Sequence, residues 1–190
     1  MGEPVASISA VLTAAGESTR MGEAKALLTW RGATLLEHQL SCLLEGGVSE
    51  VVVVLGHQAA EVARYAKGPN VRWVVNGLYR EGKATSIKAG LTAISQSAEG
   101  IALLGVDQPR TPEIVSQIVR AHVENDAVIT SPRYQGHGGH PLIFSASLKS
   151  ELESITEETH GIREVFRRHS DQVTEVLIED PLIRLDLNTP

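Results

Sequence analysis

Val51-Val52-Val53-Val54-Leu55 is five apolar residues in a row. A strand with one face in water alternates apolar and polar residues, so an unbroken run of strand length fits a parallel strand covered on both faces. Just upstream, Thr34-Leu-Leu-Glu37 is a capping box, in which a hydroxyl and a carboxylate satisfy the free amides of a helix start. Leu36, Leu40, Leu43 and Leu44 follow at helical spacing, and Gly46-Gly47 stops the helix. Before this helix, Ile8 to Thr13 reads as a first strand, followed by a glycine-bearing loop from Ala14 to Gly22. Downstream, Val71 to Val75 reads as a third strand, and Ile87, Leu91 and Ile94 share one helical face. Ile101 to Val106 is another buried strand, and Thr111-Pro112 opens a helix carrying Ile114, Val115, Ile118 and Val119. Ala127 to Thr130, Leu142 to Phe144 and Val173 to Ile178 read as later strands. This alternation predicts a doubly wound, mostly parallel α/β sheet, one domain over residues 1–190.

Composition narrows the function classes. There are 17 basic and 23 acidic side chains, a formal charge of −6, which disfavours a non-specific nucleic-acid binder. A small anionic ligand held by a few local cations stays compatible with that balance. The single cysteine, Cys42, excludes an intramolecular disulfide framework and a cysteine-rich zinc site. No apolar run approaches the roughly 20 residues that span a bilayer. The opening residues lack the pattern of a secretory signal. The expectation is a soluble, cytoplasmic protein without a membrane or nucleic-acid partner.

In an open α/β sheet, ligands bind beyond the carboxyl ends of the strands. After the first strand comes Ala14-Ala-Gly-Glu-Ser-Thr-Arg20-Met-Gly22-Glu-Ala-Lys25. Small residues let backbone amides approach phosphate oxygens, and Arg20 and Lys25 add two cations. The competing reading is a βα loop with two solvated cations. Neither a Walker P-loop nor the dinucleotide Gly-x-Gly-x-x-Gly is present. Asp107-Gln-Pro109 follows the strand from Ile101, where a carboxylate suits Mg²⁺ on a bound nucleotide or, more simply, a turn or cap. Asp186 and Asn188 alternate near the end, as second oxygen ligands or as polar residues of a surface strand. Asn76 to Ser86 gathers glycine and hydroxyl residues, with Ser86 at a helix start as an N-cap or lining a base pocket. His137 and His140 fall in a glycine-rich loop, a poor frame for a metal pair. Cys42 reads as a packing residue, Trp73 as packing in the third strand or stacking on the acceptor, and Trp30 as packing or as a shield for the phosphate site. Glu151 to Glu158 reads as a solvated helix face and His57 as a loop cap.

The motifs together resemble the MobA-like nucleotidyltransferases, and within them the molybdenum cofactor cytidylyltransferases. The family opening is matched by Leu12-Thr-Ala14-Ala15-Gly16-Glu-Ser18-Thr-Arg20-Met21-Gly22-Glu-Ala-Lys25-Ala-Leu27-Leu28. The match continues, in order, through Gly32 to Glu37, Gly82 with Ser86 and Gly90-Leu91, Asp107-Gln-Pro109, Gly136 to Pro141, and Asp186-x-Asn188-Thr-Pro190. The resemblance implies a single-domain, Rossmann-like α/β/α fold and attack of an acceptor phosphate on the α-phosphorus of a nucleoside triphosphate.

By the same resemblance Arg20, Lys25 and Asp107 are catalytic. Ala14, Ala15, Gly16, Ser18, Gly22, Gly82 and Ser86 bind the nucleotide. Gly139, His140 and Pro141 face the acceptor, where His140 contacts its phosphate or its pterin. Asp107, with Asp186 or Asn188, holds Mg²⁺. Ala14-Ala15-Gly16 matches the cytidylyltransferase loop rather than the guanylyltransferase one, which implies CTP, with molybdopterin as acceptor and a molybdoenzyme downstream. Two departures keep rivals open: the ending Leu187-Asn188 is closer to guanylyltransferases, and Thr159 stands where the family carries an aspartate before Gly161 and Arg163. The rivals are a GTP-using enzyme, a transferase for a sugar or alcohol phosphate, and a non-catalytic molybdenum cofactor chaperone.

Overall fold

The computed structural model describes residues 6–17 and 24–187. Its elements are β1 (Ile8–Ala14), β2 (Thr29–Trp30), β3 (Ala33–Thr34), α1 (Leu35–Glu45), β4 (Glu50–Leu55), α2 (Ala59–Val62), β5 (Val71–Val75) and α3 (Lys83–Leu91). They continue with β6 (Gly100–Gly105), α4 (Pro112–Glu124), β7 (Ile129–Tyr134), β8 (His137–Gly138), β9 (Leu142–Ser145), α5 (Lys149–Ser154), α6 (Ile162–Arg168) and β10 (Val173–Leu177). The main sheet runs β10-β7-β9-β6-β1-β4-β5, with β8 paired to β7. β2 and β3 form a separate two-stranded hairpin. The pairs among β6, β1, β4 and β5 are parallel, whereas β9 is antiparallel to both β6 and β7. The sheet is thus mixed and mostly parallel, with helices on both faces.

The apolar runs behave as their composition demands. Val51 to Leu55 are wholly buried, because β4 sits inside the sheet and each face is covered. One core, around Leu36, Leu40, Val53, Ile114 and Ile118, packs α1 and α4 on one face. The other, around Val52, Val54, Ile87, Leu91, Phe144 and Leu152, packs α3 and α5 on the opposite face. Full burial of each such side chain stabilises by about 1.5–3 kcal/mol relative to exposure. The capping box forms as its spacing requires: Glu37 N–H donates to Thr34 Oγ1 at 3.2 Å, and Thr34 N–H donates to Glu37 Oε2 at 3.0 Å. Among the described residues no helix is long and apolar enough to cross a membrane.

Four local expectations are corrected. Trp73 is 49% exposed, because β5 is the edge strand of the sheet. The acidic stretch is no continuous helix face, since α5 ends at Ser154 and Ile155 turns inward as a buried residue. Ser86 lies within α3 rather than capping it, the N-cap being Gly82. Asp186 follows a 3-10 turn at Pro181–Arg184 rather than standing on an extended strand.

Candidate active site

Two cavities open along the carboxyl edge of the sheet. The first, about 250 Å³, is lined by Ala14, Ala15 and Gly16 after β1, by Lys25, by Gly82 and Ser86 of the α3 start, and by Asp107 after β6. Lys25 and Asp107 are brought together across 82 positions of the chain: Lys25 Nζ donates to Asp107 Oδ2 at 3.0 Å. Both side chains keep about a fifth to a quarter of their surface open (21% and 25%), so the pair is accessible to a ligand. Ser18, Arg20 and Gly22 lie outside the described residues, as does Asn188 at the chain end.

The turn that carries Asp107 is fastened from below by α1. Gln39, fully buried, donates to the carbonyls of Gly105 and Gln108 at 3.3 and 2.6 Å and accepts the Arg110 N–H at 3.2 Å. His38 and Cys42 both reach the Arg110 carbonyl, at 2.8 and 3.3 Å. Burial pushes the Cys42 thiol up to about 12, so it is an inert packing residue. These contacts give a rigid platform to a carboxylate that would otherwise sit on a free loop.

The wall opposite is set by Asn76. Its amide donates to Thr85 Oγ1 at 2.9 Å and Ser86 Oγ at 3.0 Å, while its carbonyl accepts the Leu78 N–H at 3.0 Å. Ser86 Oγ is therefore used as an acceptor, which leaves its proton for a cleft ligand. Gly82 has φ +121°, and a Cβ there would lie 2.4 Å from Glu157 Cγ. The positive φ calls for glycine, and a Cβ would also displace the Glu157 side chain. Glu157 itself accepts the Ala84 N–H at 2.7 Å, at the electropositive start of α3. At the rim, Glu17 accepts from Tyr79 Oη at 3.0 Å and from Arg80 Nη2 at 2.6 Å, and these partners hold its carboxyl below its ordinary value. His57 uses its backbone, donating N–H to Ala15 O at 3.0 Å, and its ring stands 4.0 Å from Glu17.

The second cavity, about 810 Å³, shares Lys83 with the first. Ile87, Leu142, Ile155 and Phe166 give it an apolar wall; His160, Arg163 and Arg167 give it basic groups; Gln108, His140 and Asp186 line its inner side. Of the residues expected at the acceptor, His140 faces this space. Gly139 instead makes room for the chain end, since a Cβ would meet Ile183 O at 2.4 Å. Pro141 follows a cis peptide bond and is buried.

Arg110 assembles this side and was missed in the sequence, where it is one arginine after a proline. It is 1% exposed. Its guanidinium donates to four carbonyls: His140 at 2.7 Å, Pro109 at 2.8 Å, Leu185 at 3.0 Å and Ile183 at 2.8 Å. Burial lowers its pKa to about 10, opposed by the nearby charges of Asp186, Asp107 and Asp180. Leu187 N–H closes the ring by donating to Asp107 O at 2.8 Å. Asp107 and Asp186 thus flank the same buried guanidinium but line different cavities. No three His, Cys, Asp or Glu side chains cluster as a metal site among the described residues. His137 lies exposed on β8, and His140 is engaged with Gln108, so the two do not present a ready pair.

Comparison with known proteins agrees with this architecture. The chain is 33% identical to the nicotine blue oxidoreductase of Paenarthrobacter nicotinovorans, over 90% of this chain and 86% of that protein. It is 30% identical to the molybdenum cofactor cytidylyltransferase of Escherichia coli, over 98% and 93%. Among solved structures, Rv0371c of Mycobacterium tuberculosis superposes with a TM-score of 0.82 at 29% identity, covering 98% of this chain and 95% of that one. A manganese complex of that protein superposes with a TM-score of 0.77 at 28% identity, covering 97% and 94%. A family model for the MobA-like NTP transferase domain matches residues 10–173. With its Lys25–Asp107 pair set at the strand ends of a doubly wound sheet, the chain belongs to the MobA-like NTP transferase family.

Proposed function

We propose that this chain transfers CMP from CTP to the phosphate of molybdopterin and releases pyrophosphate, assisted by Mg²⁺. The observation that carries the reading is the Lys25–Asp107 pair at the mouth of the first cavity, next to a second cavity of different chemistry. A triphosphate gives each partner a replacement: a phosphate oxygen for Lys25 in place of the carboxylate, and a cation for Asp107 in place of the ammonium. The carboxylate oxygens fit Mg²⁺, which is ordinarily held by one or two carboxylates plus substrate phosphates. Asp107 would hold it, with Asp186 the second candidate among the described residues. When bound, the ion supplies Lewis-acid stabilisation of the charged phosphoryl oxygens.

In the step itself an oxygen of the acceptor phosphate bonds to the α-phosphorus, and the bond to the β-phosphate oxygen breaks. Lys25 neutralises charge as it builds on the α-phosphoryl oxygens, so catalysis is positioning and electrostatics. Ala14, Ala15 and Gly82 frame the base, and the Ser86 proton meets a ring nitrogen or carbonyl of it. The Cβ of Ala15 narrows that floor, which favours a pyrimidine. The cytidylyltransferase relative, 30% identical over 98% of the chain, supports the same choice.

Thermal shifts with CTP, GTP, ATP and UTP, each with and without Mg²⁺, test the reading. A ligand at 100 times its Kd stabilises by about 2.7 kcal/mol. The expected result is a shift with CTP that depends on Mg²⁺, and pyrophosphate release once molybdopterin is added. A shift with GTP alone reassigns the base. Binding without pyrophosphate release reassigns the chain to a non-catalytic cofactor carrier. Because one relative is named as an oxidoreductase, a reduced nicotinamide dinucleotide is included, and a shift with it alone overturns the transfer reading.

A further inference from the structure

The second cavity contains a histidine whose proton position is dictated by the fold. Gln108 is 3% exposed, and its Oε1 accepts the Gly105 N–H at 2.9 Å. That leaves Gln108 Nε2 against His140 Nδ1, at 3.1 Å. An amide nitrogen only donates, so Nδ1 must accept, and the ring proton of the neutral imidazole sits on Nε2. Turning the amide over would press its NH₂ against the Gly105 N–H. Protonating Nδ1 would press two donors together at the other end. Neither arrangement is tolerable where water cannot substitute.

The ring is also fixed through its backbone. His140 N–H donates to Ile183 O at 3.0 Å, and His140 O accepts from Arg110 Nε at 2.7 Å. No described residue partners Nε2, and the ring lines the second cavity. Burial, with the charges of Arg110 and Lys83, lowers its pKa to about 4 against the pull of Asp186 and Asp107, which agrees with the geometry.

We propose that His140 determines acceptor specificity as a neutral Nε2–H donor, locked by Gln108, that selects ligands presenting an uncharged carbonyl oxygen or ring nitrogen to this cavity. The anionic group of the same ligand falls to the basic side chains of Lys83, Arg163 and Arg167 on the same cavity. Of the two expected contacts of His140, phosphate or pterin, this favours the pterin. It rests on reading the second cavity as the acceptor site.

The test is nitrogen-15 NMR of the full chain at pH 7, with His140 assigned by the signals lost in His140→Gln. The expected pattern is an unprotonated Nδ1 and a protonated Nε2. The reverse pattern, an averaged one or an imidazolium overturns the proposal. Gln108→Glu, whose carboxylate can only accept, is expected to move the proton to Nδ1; an unmoved proton likewise overturns the lock.

Selectivity is read with two probes, pterin monophosphate and phenyl phosphate, the second lacking a ring acceptor. His140→Phe is expected to weaken the pterin probe about tenfold and His140→Gln by no more than about threefold, the range of one neutral hydrogen bond. Phenyl phosphate is expected to be indifferent to both. Equal loss for both probes, no loss for either, or failure of the pterin probe to bind overturns the selectivity. If tautomer and probes behave as expected but CTP yields no pyrophosphate, the nucleotidyl-transfer reading alone fails.

Discussion

The two cavities meet at Lys83 but are built by different means. The first is made where parallel strands end, and its key residues lie just after β1 and β6. Two hydrogen bonds from Gln39 and one to it steady the Asp107 turn, together with His38 and Cys42 on the Arg110 carbonyl. The second is closed by segments far apart in the chain: the loop at 139–141, the stretch at 155–167 and the tail at 181–187. Its inner wall depends on a single buried guanidinium that binds four carbonyls. The lesson is that this fold supplies a charged site almost for free at its strand ends, whereas the shaped cavity beside it needs a dedicated buried cation.

That contrast is open to attack. The largest effect is expected at the first cavity. Asp107→Ala should slow pyrophosphate release at least about a hundredfold, or about 2.7 kcal/mol, and Lys25→Ala at least about tenfold. Steady-state assays at saturating metal measure both, and an active Asp107→Ala would place the chemistry elsewhere. Next comes Arg110→Met, which orphans four carbonyls and should lower the unfolding free energy by about 2–4 kcal/mol in urea titrations. The same variant should retain the CTP thermal shift while losing acceptor binding. Equal damage to both would dissolve the distinction between the cavities.

Gly82→Ala probes the boundary. It combines φ +121° with a Cβ 2.4 Å from Glu157 Cγ, and strain of this kind costs about 1–3 kcal/mol. Adding Glu157→Ala relieves the clash but not the backbone strain, so the double variant should recover only part of the loss in thermal unfolding. Full recovery would show that the clash alone demands glycine.

The smallest effect serves as a control away from both cavities. His122 is 6% exposed, and its Nδ1 meets Thr130 Oγ1 at 2.8 Å. Burial lowers its pKa to about 4. The unfolded chain takes up its proton near pH 6.5 while the folded chain refuses it until about pH 4. Its stability contribution is therefore full above pH 6.5 and is lost as pH falls through that window, by about 1 kcal/mol from pH 7 to 5.5. His122→Gln should flatten this slope in urea titrations without changing nucleotide binding.

Much of the first cavity was legible because its signals are local. The capping box, the all-apolar β4 and the small-residue loop after β1 each depend on neighbours a few residues away. Asp107 was legible as the residue after a buried strand, although its partner Lys25, 82 positions earlier, became visible only in three dimensions. Arg110 and Gln39 carried no signal, because a buried arginine or glutamine is recognised by the carbonyls it meets and those come from distant segments. Trp73 was misjudged because a strand's place at the sheet edge is a property of strand order. The cap reading of Ser86 fails because the N-cap lies four residues earlier, at Gly82 with its positive φ.

The alternation of strands and helices, their buried faces and the family to which the chain is similar can all be read along the chain. These follow from short-range periodicity and from contiguous motifs. Folding alone brings Lys25 to Asp107, ties the tail to the His140 loop through Arg110, and sets Gln108 against His140 Nδ1. The reason is physical: a buried polar group takes its meaning from its partners, and here those partners are brought together by folding rather than by spacing along the chain.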